Sequence, residues 1–239
     1  MMILEVDRIS KAYPGFQLQD VSFGVRAGTI MGFIGRNGAG KTTTLKAMMN
    51  MVHMTEGRVT CFGMNMAEHE QTIKQRIGYA GGIVDYYRKK KIVKLLDITK
   101  RFYDQWDDAV CGRYMKLFSL DANKTPSELS EGMKVKLNLT IALSHGAELL
   151  ILDEPTSGLD PISRAELLEI FKYLRSQGVS ILFSTHITSD LDQCADDITY
   201  IRNGRIVYTG PMAEFTGGET LEEVMIRHEK EAIRERFTL

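Results

Sequence analysis

One short segment limits what this chain can fold into more than any other: Gly35-Arg36-Asn37-Gly38-Ala39-Gly40-Lys41-Thr42, the spacing G-x-x-x-x-G-K-T. Before it stands Ile30-Met31-Gly32-Phe33-Ile34, a nearly continuous apolar run of the kind buried on both faces of a sheet. After it, Thr42-Thr43-Thr44-Leu45-Lys46-Ala47-Met48-Met49 carries helix formers and no breaker. Strand, glycine loop, helix is the order in which a phosphate cradle is built. Without Cβ atoms the loop can aim successive backbone N–H groups inward, and the dipole of the following helix adds positive potential. In such a cradle the Lys41 ammonium reaches the β- and γ-phosphates and the Thr42 hydroxyl meets magnesium. The candidate site covers Gly35, Arg36, Asn37, Gly38, Ala39, Gly40, Lys41, Thr42 and Thr43.

A second apolar run, Leu149-Leu150-Ile151-Leu152, ends in Asp153-Glu154. A strand here delivers Asp153 at its carboxyl end, where it can hold the metal, and places Glu154 to orient or deprotonate the water that attacks a γ-phosphate. Val179-Ser180-Ile181-Leu182-Phe183 reads as another buried strand, with a helix from Arg164 to Ser176 before it and Gly178 ending that helix. Earlier, Ile3-Leu4-Glu5-Val6 and Val21-Ser22-Phe23-Gly24-Val25 alternate as strands do, and with residues 30–34 they read as parallel sheet. Asp197-Ile198-Thr199-Tyr200-Ile201 and Ile206-Val207-Tyr208, joined through Asn203-Gly204, read as an edge hairpin. From about residue 83 to 145 strand-like runs give way to helix-length segments, Asp97 to Trp106 and Ala109 to Phe118, with a break at Pro126. The segment from Leu221 to Arg236 reads as a charged helix packed on one face.

Composition excludes several classes. With 30 Lys+Arg against 31 Asp+Glu the formal net charge is −1, which gives no electrostatic reason to coat nucleic acid. Cys61, Cys111 and Cys194 lie far apart with no CxxC pair, so neither a disulfide framework nor a zinc cage is expected. No window approaches the ~18 continuous apolar residues of a membrane span, so the chain is expected to be cytoplasmic, with any spanning helices supplied by another polypeptide.

With these motifs in place the chain resembles the ATP-binding-cassette (ABC) ATPases over nearly its whole length. Leu129-Ser130-Glu131-Gly132-Met133 is similar to the family signature, usually LSGGQ. Pro155-Thr156-Ser157-Gly158-Leu159-Asp160 resembles the loop that crosses the family's dimer interface, Ser184-Thr185-His186 its histidine switch, and Tyr13 the aromatic that stacks on adenine. The resemblance implies ATP and Mg2+ as ligands, with Thr42 and Asp153 on the metal and Glu154 and His186 catalytic. Tyr13, the 35–43 loop, Ser130, Gly132 and Asp160 would bind nucleotide. It further implies an α/β, P-loop NTPase core (residues 1–82 and 146–220) of mainly parallel sheet with an antiparallel β subdomain, an inserted helical subdomain (83–145) and a C-terminal helix (221–239). The expected partners are a separate transmembrane permease and a second ATP-binding subunit, since the clamp at Ser130 and Gly132 closes on nucleotide held by the other copy. Taken alone, these two residues stand at the start of an apolar-rich helix, where backbone donors make an anion site.

Leu-Ser-Glu-Gly-Met-Lys, with Phe102-Tyr103 and Trp106-Asp107, is similar to bacterial cassettes serving ABC-2-type exporters, which implies a peripheral position on the inner face of the cell membrane. The alternatives are a soluble cassette ATPase, such as one assisting metal-cluster assembly, and a low-turnover regulatory subunit. Two positions depart from the family pattern. Glu131 replaces a glycine of the signature and is expected to turn toward solvent or a basic group. Gly82 stands where the family usually has Gln, with Asp85 as the nearest polar substitute and no Gln until Gln105. Arg88-Lys89-Lys90-Lys91 is a compact basic run, fit for a solvated face or for an anionic or partner surface.

Overall fold

The apolar run at 30–34 becomes the middle of the molecule. A computed structural model describes residues 1–81 and 89–237, and in chain order its strands are β1 (Met2–Tyr13), β2 (Phe16–Arg26), β3 (Ile30–Ile34), β4 (Glu56–Cys61), β5 (Met64–Asn65), β6 (Ile77–Gly81), β7 (Leu149–Asp153), β8 (Ser180–Thr185), β9 (Asp197–Arg202) and β10 (Arg205–Pro211). The helices are α1 (Lys41–Met48), α2 (Glu70–Lys74), α3 (Ile92–Thr99), α4 (Asp108–Leu117), α5 (Glu131–Ser144), α6 (Pro161–Ser176), α7 (Thr188–Cys194), α8 (Met212–Thr216) and α9 (Leu221–Phe237). One sheet has the order β10-β9-β3-β8-β7-β6, and a second the order β2-β1-β4-β5.

In the first sheet β6, β7, β8, β3 and β9 all run parallel. Alternate residues of β3 feed two separate cores, because successive side chains of a strand point to opposite faces. Ile30 and Ile34 pack with Leu150, Phe183 and the helix residues Leu167 and Phe171, while Met31 and Phe33 pack with Ile151, Leu182 and the second sheet's Leu4 and Val21. The register pairs Ile34 with Thr185 and with Tyr200, and Asp153 with Ser184 and with Gly81. The carboxyl ends of β3, β8, β7 and β6 therefore lie at one edge.

Strands are found where the alternating runs at 3–6 and 21–25 place them, yet they are not part of the parallel sheet. β1 and β2 pair antiparallel, Tyr13 opposite Phe16, across the two-residue turn Pro14-Gly15. So short a connection can join only antiparallel strands, and alternation marks a sheet with one face open. The Arg26 guanidinium of β2 grips Asp197 of β9 with bonds of 2.8 and 2.7 Å, tying the two sheets together. The 197–208 hairpin turns at Asn203 and Gly204, both at positive φ (49° and 74°). Of the two hairpin strands β10 lies at the end of the sheet, while β9 also pairs with β3.

Among the described residues no strand occurs between Gly81 and Leu149. The helix expected at 97–106 lies instead at Ile92–Thr99, where Ile92 and Leu95 are buried anchors, and passes through a 3-10 turn at Lys100–Phe102. It cannot continue, because Tyr103 and Asp104 are held against the core. Tyr103 stacks on His145 at 3.7 Å, the Asp104 N–H donates to Gln75 Oε1 at 3.0 Å, and Gln75 Nε2 donates to the Phe102 carbonyl at 2.7 Å. α6 begins at Pro161 rather than Arg164, since Asp160 caps it and proline suits the first helical position. α9 buries Val224, and Leu221 beside Leu191 and Tyr200. Gly82, Asp85 and Arg88 lie outside the described residues; Lys89, Lys90 and Lys91 are exposed beside α3.

His145 is buried, its Nδ1–H donating to the Gln75 carbonyl at 3.0 Å while Nε2 has no partner. Burial holds the imidazole below its ordinary range. The unfolded chain therefore takes up the proton first, and stability present above pH ~6.5 is lost progressively as the pH falls below it. In His145→Phe the ring stacking remains and the titration is gone. We expect a loss of about 1 kcal/mol at pH 8 from the missing hydrogen bond, but a flatter decline of the urea midpoint toward pH 5 than in the wild type; an identical slope would exclude His145 as its source.

Candidate nucleotide site

Gly40 caps α1 with its backbone at φ 113° and offers no side chain to the first turn. A Cβ there would collide with Leu18 and Phe16, so only glycine lets the loop lie this close to β2. The uncapped N–H groups of α1, under the helix dipole, form a site for an anion. Around them is a cavity of about 610 Å³ whose wall includes Gly38, Lys41, Thr42, Glu154, Ser157 and His186. Thr42 is exposed at the helix start.

Lys41 is 6% exposed and its ammonium is fully engaged: it donates to the Gly35 carbonyl at 2.7 Å and pairs with Glu154 Oε1 at 3.1 Å. The other Glu154 oxygen meets His186 Nδ1 at 2.8 Å. Glu154 itself sits at φ 50°, a conformation rare outside glycine, asparagine and aspartate. That left-handed step after β7 turns its carboxylate out of the strand and into the cavity. Asp153, one residue earlier, is fixed by Ser184, whose hydroxyl donates to Asp153 Oδ1 at 2.5 Å and accepts the Glu154 N–H at 3.0 Å. Asp153 Oδ2 takes no hydrogen bond among the described residues and stays available to a cation. Among those residues no group of three or more His, Cys, Asp or Glu could hold a metal alone. That donor set suits magnesium, which takes one or two protein oxygens and completes its shell from phosphate and water.

Lys41, Thr42, Thr43, Glu154 and His186 thus converge, with Asp153 beside them, as the sequence leads one to expect. Other expected residues stand apart. Tyr13 is half exposed under the Lys11 ammonium, 5.3 Å from its ring centre; the cavity wall near it is Gly15 and Phe16. Arg36 and Asn37 are exposed on the cavity wall, and Arg36 also pairs with Glu229 of α9 at 3.6 Å. Ala39 is buried and donates its N–H to the Arg36 carbonyl at 3.0 Å. Ser130 caps α5 by accepting the Met133 N–H at 3.3 Å, and neither it nor Gly132 lines the cavity. Gly132 faces Leu159 and Ser163 instead. Glu131 pairs with Lys134 at 2.7 Å, a basic group of its own helix. Asp160 accepts the Ile162 and Ser163 N–H groups and the Ser163 hydroxyl, which hold its carboxyl below the ordinary range. Ser184 was named from sequence only within the Ser184-Thr185-His186 motif, with no role of its own, and Phe16 was not singled out: a serine inside an apolar strand and a phenylalanine after a turn carry no spacing signal.

The ABC transporter family model matches residues 18–157, more than half of the chain. The chain belongs to the ABC transporter family. As an ABC ATPase it binds ATP and couples its hydrolysis to transport. It is 32% identical to the bacitracin transport ATP-binding protein BcrA of Bacillus licheniformis, over 86% of this chain and 68% of that one. It is 30% identical to the lantibiotic transport ATP-binding protein SrtF of Streptococcus pyogenes, over 93% and 95%. Among solved structures, an ATP-binding subunit of an ABC transporter superposes with a TM-score of 0.84 at 28% identity, covering 94% of this chain and 98% of that one.

Because one hydroxyl fixes both acidic residues of this ABC ATPase, Ser184→Ala is expected to lower turnover about tenfold, the size typical of groups that orient metal ligands. ATP affinity should change less than about twofold, since Ser184 lies outside the 35–43 loop. Steady-state kinetics and nucleotide titration check it; a lost affinity with unchanged turnover contradicts this role.

Proposed function

We propose that this chain powers an ABC-2-type exporter through a separate transmembrane permease, working as one half of a dimer that ATP closes. The observation that carries the reading is the Glu154 carboxylate, held between Lys41 and His186 next to Asp153. In this reading the 35–43 loop and Lys41 bind the phosphates, and Thr42 with Asp153 hold Mg2+, which when bound neutralises charge on the β- and γ-phosphate oxygens. Lys41 exchanges the Gly35 carbonyl and Glu154 for phosphate oxygens, and that frees Glu154 to orient or deprotonate the attacking water. His186 holds the carboxylate's other oxygen. Tyr13 stacks on adenine, and Phe16 packs beneath the loop.

Ser130 and Gly132, outside the cavity of their own chain, are placed to meet the nucleotide of a second copy or paralogue across the 155–160 loop. Residues 1–82 and 146–220 then act as the nucleotide-binding core, 83–145 as the subdomain that carries the signature, and 221–239 as a C-terminal helix. Among the described residues no helix is long and apolar enough to cross a membrane, which suits a peripheral subunit. The exposed Lys89, Lys90 and Lys91 fit an acidic partner surface or anionic headgroups. The transport relatives favour an exporter over metal-cluster assembly.

Glu154→Gln removes the base and keeps the shape. With Mg-ATP this variant should elute as a dimer in size-exclusion chromatography and hydrolyse less than about one hundredth as fast as wild type, within the range for general-base loss. A variant that stays monomeric at saturating Mg-ATP overturns the closed-dimer reading, and co-purification with a soluble scaffold in place of a multi-span protein overturns the exporter.

A further inference from the structure

Beneath the 154–160 loop lie two buried polar side chains, Thr156 and Asp190, with the half-buried Arg164 beside them, that nothing in the site so far uses. Asp190, on α7, has no exposed surface, and neither of its carboxylate oxygens has a hydrogen-bond partner. Arg164 of α6 pairs with it only loosely, its Nε 3.9 Å from Asp190 Oδ1, too far for a hydrogen bond, and that Nε makes none elsewhere. Thr156 is also fully buried, and its hydroxyl is unpartnered too. Two donors and a double acceptor, each unsatisfied, are gathered in one place. Burial pushes the Asp190 carboxyl above its ordinary range; the Thr156 hydroxyl, close enough to act on the carboxylate though without a hydrogen bond of regular geometry, opposes the rise, as do the charges of Arg164 and His186.

Unsatisfied buried donors and acceptors are uncommon in folded proteins, and a carboxylate is the most expensive to leave so. Packing alone would be served better by an apolar residue. The donors match the acceptors, so a small displacement would satisfy all three side chains at once. Their chain positions indicate what that displacement moves. Thr156 follows Glu154 by two residues, Arg164 follows Asp160 by four on the first turns of α6, and Asp190 follows His186 by four at the start of α7. Each member is tethered to a different residue of the site. Backbone bonds make the tethers short and stiff: Ser157 N–H donates to the Glu154 carbonyl at 3.1 Å, Arg164 N–H to the Asp160 carbonyl at 3.0 Å.

We propose that Asp190 is a positioning residue for ATP hydrolysis: when the 154–160 loop and the start of α6 move toward α7, its carboxylate accepts hydrogen bonds from Arg164 and Thr156, and the closed network holds Glu154, Asp160 and His186 in register. The arrangement seen is the open state of that network. Asp190 touches neither nucleotide nor water and acts only through these neighbours. The proposal rests on the roles given above to Glu154, Asp160 and His186.

The test is the full chain with Mg-ATP. Asp190→Asn keeps the shape and removes the charge; we expect turnover to fall about tenfold, with KM for ATP within about twofold and no drop in the thermal midpoint. Thr156→Val should behave alike, Thr156→Ser should retain wild-type turnover, and the Asp190→Asn/Thr156→Val double variant should lose no more than either single one, because both break the same network. Wild-type turnover in Asp190→Asn or Thr156→Val, multiplied losses in the double variant, or a Thr156→Ser as slow as Thr156→Val would overturn the proposal. If Asp190→Asn does not fold, the Val and Ser pair at Thr156 decides. Glu154→Gln run alongside separates the two readings: full turnover there removes the site assignment itself, whereas loss there with normal Asp190→Asn turnover removes only this inference.

Discussion

The burial of β3 on both faces is the constraint from which the rest follows. A strand with no exposed side cannot carry a functional group along its length, so chemistry is confined to its ends. Parallel neighbours β8, β7 and β9 then bring their carboxyl ends to the same edge, within the crevice where open α/β sheets bind ligands. Lys41, Asp153, Glu154 and His186 each follow or end such a strand, directly or through the glycine loop. Their convergence is a consequence of register, with Asp153 beside Ser184 and Ile34 beside Thr185.

Electrostatics decides how that edge is arranged before nucleotide arrives. A nearly buried lysine needs acceptors, and Lys41 takes them from the Gly35 carbonyl and Glu154. The same pair keeps the Glu154 carboxylate occupied, with His186 on its other oxygen. Glu154 reaches this position only through a left-handed backbone step, which places its carboxylate outside the β7 ladder. Ser184 couples the two acidic residues through one hydroxyl, tying the Asp153 carboxylate to the Glu154 backbone.

The glycine loop, the Asp153-Glu154 strand end and the helices at 109–118 and 164–176 were legible because each is a local pattern: spacing, apolar run, period. The failures were non-local. The strand near residue 3 looks the same in a parallel or an antiparallel sheet; the two-residue turn at Pro14-Gly15 decides, and strand pairing makes that visible. The helix before Tyr103 ends where Gln75 and His145 seize the chain, contacts made by residues 27 and more positions away. Phe16 entered the cavity wall because Gly40 admits its ring, a fit between two segments that neither one announces.

By itself the sequence determined the chemistry that the chain can perform: a loop whose glycines permit a phosphate cradle, two carboxylates at the end of a buried strand, and a histidine after another. These are properties of residue type and spacing, which survive whatever the chain folds around. Only the tertiary structure decided which of these groups meet, that Lys41 and His186 share Glu154, that Ser130 and Gly132 stand outside the cavity of their own chain, and that the buried Asp190 and Thr156 gather with Arg164 while the Asp190 oxygens, the Thr156 hydroxyl and the Arg164 Nε make no hydrogen bond. Such facts depend on how strands register and helices pack across long stretches of chain, and a hydrogen bond made or missed at 3.9 Å is set by that packing alone.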